Sequence, residues 1–339
     1  MSTNLESRAP AAAGAPSPRK LLPRLVTGQE IVLIGIITVL WILLGFLTPA
    51  FLTPGSILPL LVAVAPIALV GVGMTFVIIT AGIDVSVGAM LMVSAVITAQ
   101  TMVATGISLV PALLLSIAVG ALLGLVNGFL VAYGKIHAII ITFGTANIFL
   151  FIGLRLFGSS TVNGVPGTFD VFGRGAAGRT LGIPHSFAIT LVVVAVAWWY
   201  LRHAASGRHL FAIGGNANAA RLAGINVKPL VLMTYVITGA LVGLAACFVI
   251  AQGTSTLDQS VGVGRELSVI AAVVIGGTSI LGGRGSVLGT LLGAILVQTV
   301  TSGVTQLGWP SQLSDLFVGA AIIAAVGTDI VRERSRRKS

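Results

Sequence analysis

Charge is scarce in this sequence. Only 8% of its 339 residues are Asp, Glu, Lys or Arg, and the mean hydropathy is +1.06. Soluble domains carry about 25% charged residues, because these residues cover the surface that faces water. Hydrophobic residues make up 56% of the chain, and they fall into many runs of about 20 residues, the length that crosses a hydrocarbon core of about 30 Å. The composition therefore excludes a soluble globular protein and predicts a polytopic membrane protein.

Cysteine and lysine are also nearly absent. The single cysteine, Cys247, excludes a disulfide framework, and its apolar surroundings predict a small core residue. The glycine-rich stretch 276–289 lacks the Gly-Lys-Ser/Thr of a phosphate-binding loop, so its glycines predict a tight turn and close helix packing instead. No sequence pattern indicates a catalytic triad, a metal cluster or paired carboxylates, so we expect neither enzymatic activity nor a cofactor. The four lysines are Lys20, Lys135, Lys228 and Lys338.

Apolar runs predict ten membrane spans in an all-α domain that covers residues 30–330. Residues 1–29 are rich in Ala, Pro, Ser and Arg, which predicts a disordered basic arm. We do not expect a signal peptide, because the run that begins at Ile31 is too long for one. Residues 331–339 form a short basic tail. The predicted spans lie at 31–48, 57–79, 85–104, 108–131, 138–157, 186–201, 230–252, 267–281, 286–306 and 312–328.

The basic residues predict the orientation of these spans. With the N-terminus inside the cell, fifteen of the 19 Lys and Arg residues fall on the cytoplasmic side and four on the outer side. This asymmetry is the one that the positive-inside rule predicts, so both termini are expected in the cytoplasm. It also accounts for the net charge of +10 better than nucleic-acid binding does. The connections between spans two and three and between spans eight and nine are short and glycine-rich, which allows re-entrant or broken helices there.

The predicted cytoplasmic loop 202–229 contains a short helix. Asn216 suits the N-cap, the alanine-rich run 217–223 favours helix, and Gly224 suits the C-cap. A helix with such small side chains can enter a groove on another protein, although an ordinary connecting helix would have the same sequence. The predicted outer loop 158–185 is polar and glycine-rich and could form a short ordered element that faces an external partner.

Polar residues inside the apolar runs allow two interpretations. Asp84 is the only carboxylate between Glu30 and Asp170, and an acid within a membrane is a candidate proton or cation site. A carboxylate at the start of a helix can equally act as a cap, which we favour here. Asn127, Thr142, Thr145 and Asn147 could bind the hydroxyls of a neutral solute or form hydrogen bonds between helices. A short similarity between segments 82–88 and 283–289 hints at two related halves.

Together, four segments resemble the membrane-spanning permease of bacterial ABC importers for monosaccharides. The matching stretches are 74–88, 124–153, 207–225 and 265–293, in the order that the family has them. His137 stands where many members carry Pro, and Phe143 stands where many carry Leu. This family includes the ribose, xylose, arabinose, rhamnose and autoinducer-2 systems, so the resemblance indicates a class of substrate and not one sugar.

The resemblance implies a fold like that of the cobalamin-importer (type II) permeases, with about ten spans in each subunit. It implies a second permease copy, identical or paralogous, in the bacterial inner membrane. It also implies a periplasmic sugar-binding protein that delivers the solute and cytoplasmic ATP-binding cassette subunits that hydrolyse ATP. An ion-coupled secondary transporter is the alternative and would depend on Asp84, and a passive polyol channel is a further one.

Residue roles follow from the motifs and from this resemblance. For ATPase coupling, the loop supplies Gly214, Asn216, Ala219, Ala220, Arg221, Leu222 and Gly224. For the substrate pathway, the candidates are Asn127, Thr142, Thr145 and Asn147. For structural or gating roles, they are Asp84, Ser86, Gly88, Gly276, Gly277, Gly282 and Gly283.

Overall fold

The computed structural model describes residues 28–158, 160–173, 175–253 and 255–338, and it describes side chains as far as residue 327. The predicted arm therefore lies almost wholly outside the described residues, and the side chains of the predicted basic tail lie outside them as well. The described fold is all-α, as predicted, apart from four two-residue strands. The helices are α1 (Gly28–Leu47), α2 (Pro54–Ile79), α3 (Val87–Thr105), α4 (Leu109–Gly134), α5 (Ala138–Phe157), α6 (His185–His203), α7 (Ala205–Gly215), α8 (Ala217–Leu222), α9 (Val227–Ile250), α10 (Arg265–Ile275), α11 (Val287–Gln306) and α12 (Gln312–Lys338).

Eight of the described helices are long and apolar enough to cross a membrane, namely α1 to α6, α9 and α11. The last predicted span corresponds to the apolar part of α12, Gln312–Gly327. The eighth predicted span, 267–281, is wrong as a continuous helix. Helix α10 has 11 residues, which at 1.5 Å per residue cover about half of a ~30 Å core. The irregular segment 276–286 follows it, at a connection where the sequence already allowed a broken helix.

The two ends of the helix bundle are distinguished by their loops. At one end, strand β1 (Val162–Asn163) pairs with β4 (Thr256–Leu257), which ties the α5–α6 loop to the α9–α10 loop. At the other end lie α7 and α8, which connect α6 to α9. Gly283 belongs to this second end, because its N–H donates to the carbonyl of Ile79 beside α7. The chain from β4 to Gly283 therefore passes between the ends although α10 is short.

Small residues bring the helices into close contact at the centre. Apolar side chains are as stable in lipid as in the protein interior, so helix association in a membrane depends on close packing of backbones. Gly120 and Gly124 of α4 lie directly against Gly239 and Gly243 of α9, where added methyl groups would overlap the facing backbone. Helix α2 lies in the interior, with 94% of its most apolar stretch buried. The glycines are therefore required by the distance between α4 and α9.

The described residues of the loop between α5 and α6 form short ordered elements, as the sequence suggested. The loop contains two 3₁₀ helices, Gly167–Phe172 and Ala176–Gly178, and the paired strands β2 (Arg179–Thr180) and β3 (Ile183–Pro184). Phe172 anchors the loop by packing on Phe248 of α9, with ring centroids 5.2 Å apart. His185 forms two hydrogen bonds, one of 2.7 Å between its Nε2 atom and the Thr180 hydroxyl and one of 2.8 Å between its Nδ1 atom and the Val171 carbonyl. These contacts give this end of the bundle a defined surface.

Candidate functional site

The short helix α8 has the two caps that the sequence predicted. The side chain of Asn216 accepts hydrogen bonds from the N–H groups of Asn218 and Ala219, both at 3.0 Å. At the other end, Gly224 has φ of +83° and the N–H of Ile225 donates to the Ala220 carbonyl. This arrangement is a Schellman motif, which favours glycine because of the positive φ. The caps hold a six-residue helix that would be marginal alone.

Helix α8 exposes most of its surface at this end of the bundle. Ala219 and Arg221 are exposed, while Ala220 is buried against the bundle. Leu222 is 91% exposed, which leaves a large apolar side chain in water. A single exposed leucine is common on protein surfaces, so this side chain is available for contact but does not by itself identify a partner. Most of the predicted coupling residues therefore lie on one exposed, capped surface, whereas Ala220 is buried beneath it and Gly214 is packed against α2.

Helix α7 connects this surface to the membrane helices. Leu210 and Ile213 are buried in the bundle, where they belong to one apolar cluster with Phe76, Ile79 and other residues. Gly214 lies so close to the Ile79 carbonyl that a Cβ atom there would overlap it, and the same Cβ would lie 2.5 Å from the Gly283 nitrogen. Backbones therefore meet directly here, and α7 contacts both the end of α2 and Gly283 without flexible side chains between them.

The glycines of segment 276–286 form the turn that meets α7. Gly277, Gly282 and Gly283 have φ of +95°, +85° and +72°, values that glycine adopts without strain. Gly276 lies against Gly289 of α11, where a Cβ atom would overlap the backbone. The sequence prediction of a tight turn with close helix packing is confirmed. The roles of these glycines in gating remain predictions.

Asp84 lies fully buried in the irregular segment between α2 and α3. Its Oδ1 atom accepts hydrogen bonds from the Ser86 N–H at 2.9 Å and from the Ser86 hydroxyl at 2.6 Å. Asn127 of α4 approaches Asp84 Oδ2 at 3.3 Å and donates to the Ser86 hydroxyl oxygen at 2.7 Å. The carboxylate therefore holds the turn that leads into α3, although the N-cap residue of that helix is Ser86 and not Asp84. The structural and gating roles of Asp84 remain predictions. No group of three or more potential metal ligands occurs among the described residues.

The four predicted pathway residues occupy different environments. Thr142 is buried, donates to the Ile83 carbonyl at 2.9 Å and accepts from the Val85 N–H at 3.2 Å. Thr145 is also buried and donates to the Thr142 carbonyl at 3.2 Å. Asn127 and Thr142 hold the turn before α3 in place, whereas the hydrogen bond of Thr145 lies within α5. Only Asn147 is exposed and lines an open cavity. The role of these four residues in the substrate pathway remains a prediction.

The cavity beside Asn147 lies between α3, α5 and the start of α10, and we call it the α3–α5–α10 cavity. Its volume is about 170 Å³. Gly88, one of the predicted gating residues, belongs to its wall. Residues on the wall are Val85, Gly88, Ala89, Met92, Phe143, Ala146, Asn147, Leu150, Gly262, Val263, Gly264 and Glu266.

Glu266 is a residue of this cavity that the sequence did not single out, because it lies in the connection just before the predicted span 267–281. The rarity of acidic residues in this part of the sequence could have identified it, since Glu266 and Asp258 are the only acidic residues between Asp170 and Asp315. Asp258 begins the segment that leads into the cavity. Its carboxylate accepts from the Ser260 hydroxyl and N–H, and these hydrogen bonds lower the pKa of Asp258.

Comparison with known proteins gives consistent results. Residues 56–326 match the family described as the branched-chain amino acid transport system / permease component. The ribose import permease protein of Bacillus subtilis (strain 168) is 40% identical over 295 residues, which cover 86% of this chain and 89% of that protein. The ribose import permease protein of Escherichia coli (strain K12) is 36% identical over 292 residues, or 86% of this chain and 90% of that protein.

A third relative differs in its named sugar. The D-allose transport system permease protein of Escherichia coli (strain K12) is 35% identical over 295 residues, which cover 87% of this chain and 89% of that protein. No solved structure is significantly similar to this chain.

Proposed function

Because the chain belongs to the transport-system permease family matched by residues 56–326, we propose how it works as the permease subunit of a monosaccharide ABC importer. It is a transport subunit and not an enzyme, and it is a multi-pass protein of the inner membrane. Its relatives are named for ribose, allose and fructose, and a sugar of this class is the proposed substrate. Residues 30–330 form the permease domain, and both termini face the cytoplasm.

The observation that carries the proposal is the contact between α7 and the membrane helices. The capped helix α8 offers an exposed surface to a cytoplasmic ATPase subunit. Gly214 of α7 meets Ile79 of α2 and Gly283 of the α10–α11 turn through backbone atoms. Movement of α8 is therefore transmitted to three membrane helices without compressing a flexible side chain. ATP-driven closure of the ATPase pair would rock these helices and open the pathway to one side at a time.

The remaining partners follow the same division of the two ends. The ordered α5–α6 loop, at the end opposite α8, is the proposed docking surface for a periplasmic sugar-binding protein. The exposed apolar faces of the bundle accommodate lipid and a second permease copy, identical or paralogous. The alternative of an ion-coupled transporter has less support, because the buried Asp84 carboxylate is occupied by hydrogen bonds from Ser86 and Asn127.

Reconstitution tests the proposal directly. The permease, the ATPase and the binding protein are placed in liposomes, and uptake of ribose, allose or fructose is measured with and without ATP. We expect uptake against a gradient that requires ATP and the ATPase and that survives collapse of proton and sodium gradients. Uphill uptake by the permease alone without nucleotide would overturn the proposal, and uptake that only equilibrates the sugar would indicate a channel.

Two substitutions test the coupling surface. Gly224→Trp places a large side chain at a positive φ, and Ala220→Arg forces a charge into a buried contact. We expect both to abolish uptake and ATPase association while membrane insertion persists. Ala177→Arg, the same change as the second one but on the exposed α5–α6 loop, should leave ATPase association unchanged. Normal uptake in both coupling variants would refute the role of α8.

A further inference from the structure

A carboxylate lies inside the α3–α5–α10 cavity. Glu266 is in the first turn of α10, which begins partway along the bundle after the irregular loop. Its side chain lies directly over Gly88 of α3, where any Cβ atom would overlap Oε2 of Glu266 and the Gly262 carbonyl. Among the described residues, no hydrogen bond or ion pair involves the Glu266 carboxylate. Gly88 therefore makes room for a half-buried acid whose acceptor atoms are unoccupied within this chain.

Asn147 of α5 supplies the complementary group in the same cavity. One N–H of its amide donates to the Phe143 carbonyl of its own helix at 2.8 Å. This bond fixes the side chain and leaves the amide oxygen and the second N–H to meet a solute. The remaining side chains on the wall are apolar or small, as in most sites that bind small molecules. The cavity thus contains an acceptor-only group and a mixed donor and acceptor group on an apolar surface.

This combination selects a chemical class of solute. A carboxylate can accept hydrogen bonds from two hydroxyl groups, and such charge-assisted bonds are stronger than neutral ones. An anion would be repelled by Glu266. A zwitterionic amino acid would place its own carboxylate in a cavity whose wall holds no Lys or Arg side chain. A neutral polyhydroxylated molecule satisfies both polar groups, and the ring of Phe143 can pack on its C–H face.

We propose that Glu266 and Asn147 form a hydroxyl-binding point in the translocation pathway, which a monosaccharide contacts as it passes between α5 and α10. This inference rests on the proposed function and adds the residues that recognise the solute within the membrane. Gly88 serves the site by accommodating the carboxylate. The site is separate from α8, so its loss should affect movement of the sugar and not the docking of the ATPase.

The test measures how much sugar moves for each ATP hydrolysed. The reconstituted complex with its binding protein is supplied with ribose, allose or fructose, whichever the wild-type complex accumulates. For Glu266→Gln, which keeps the size but removes the charge, we expect sugar moved per ATP to fall roughly tenfold or more, the loss of one charge-assisted hydrogen bond. ATP hydrolysis stimulated by the binding protein should stay within about twofold of wild type. That range is much smaller than the roughly tenfold change expected in sugar moved per ATP. Asp315→Asn, in the exposed first turn of α12, is the matched control and should change neither value.

A second variant tests the same cavity independently, so that misfolding of one variant cannot decide the result. Asn147→Ala truncates an exposed side chain, and we expect it to lower sugar moved per ATP in the same direction. If both variants move sugar at the wild-type ratio, the hydroxyl-binding point is wrong while the importer remains supported. If the wild-type complex accumulates leucine but none of the three sugars, the proposed function itself fails.

Discussion

Leu222 offers the sharpest measurement of the coupling surface. It is 91% exposed at the end of α8, and Leu181 is 97% exposed on the loop at the opposite end of the bundle. The two leucines are matched in chemistry and in exposure but face different proposed partners. If α8 docks on the ATPase, Leu222→Ala should weaken ATPase binding, and Leu181→Ala should leave that binding unchanged.

The size of the effect follows from the exposed area. Replacing Leu with Ala removes three carbon atoms, each worth about 0.8 kcal/mol when it leaves water. A side chain that is almost fully exposed in the free permease can lose nearly all of that area on docking, which gives about 1.5–2.5 kcal/mol. Since 1.4 kcal/mol corresponds to a factor of ten, we expect the dissociation constant to rise roughly 10- to 60-fold.

The assay is titration of the labelled ATPase subunit onto the permease in nanodiscs. The Leu181→Ala protein serves as the control for membrane insertion and for the general effect of removing a surface leucine. A change of less than about twofold for Leu222→Ala corresponds to under 0.5 kcal/mol. Such a result would show that Leu222 stays in water in the complex and would refute the docking geometry.

Three further predictions test local contacts. Asn216→Ala removes the acceptor of two backbone N–H groups, so the stability of helix α8 should fall by about 1 kcal/mol. We expect weaker ATPase binding as a result, and Asn216→Asp should restore it. Gly124→Leu should force α4 from α9, because the new side chain overlaps the backbone of Tyr235. Thermal unfolding in detergent should occur at a lower temperature than for Gly134→Leu, where a Cβ atom would meet only the Ile141 side chain at 3.8 Å. Asp84→Asn should lower the free energy of unfolding by about 1–3 kcal/mol yet leave uptake dependent on ATP, whereas an ion-coupled transporter would lose its dependence on the ion gradient.

The sequence predicted most of the helices, including the short helix α8. Length and apolarity suffice to locate spans, because the thickness of the hydrocarbon core is fixed. The caps of α8 were predictable residue by residue, since Asn216 and Gly224 act on backbone groups within a few positions of themselves. The short length of α10 was not predictable, because an apolar run of fifteen residues has the same composition whether or not it is continuously helical.

The tertiary structure decided which polar residues share a cavity. Asn127 and Thr142 turn toward the segment before α3, while Asn147 faces the cavity with Glu266. In a soluble helix the apolar face would have revealed the direction of each side chain. Here the surfaces that meet lipid and the surfaces that meet other helices are equally apolar. The sequence by itself therefore determined where the apolar spans lie, and only the packing of α3, α5 and α10 decided which residues face the cavity between them.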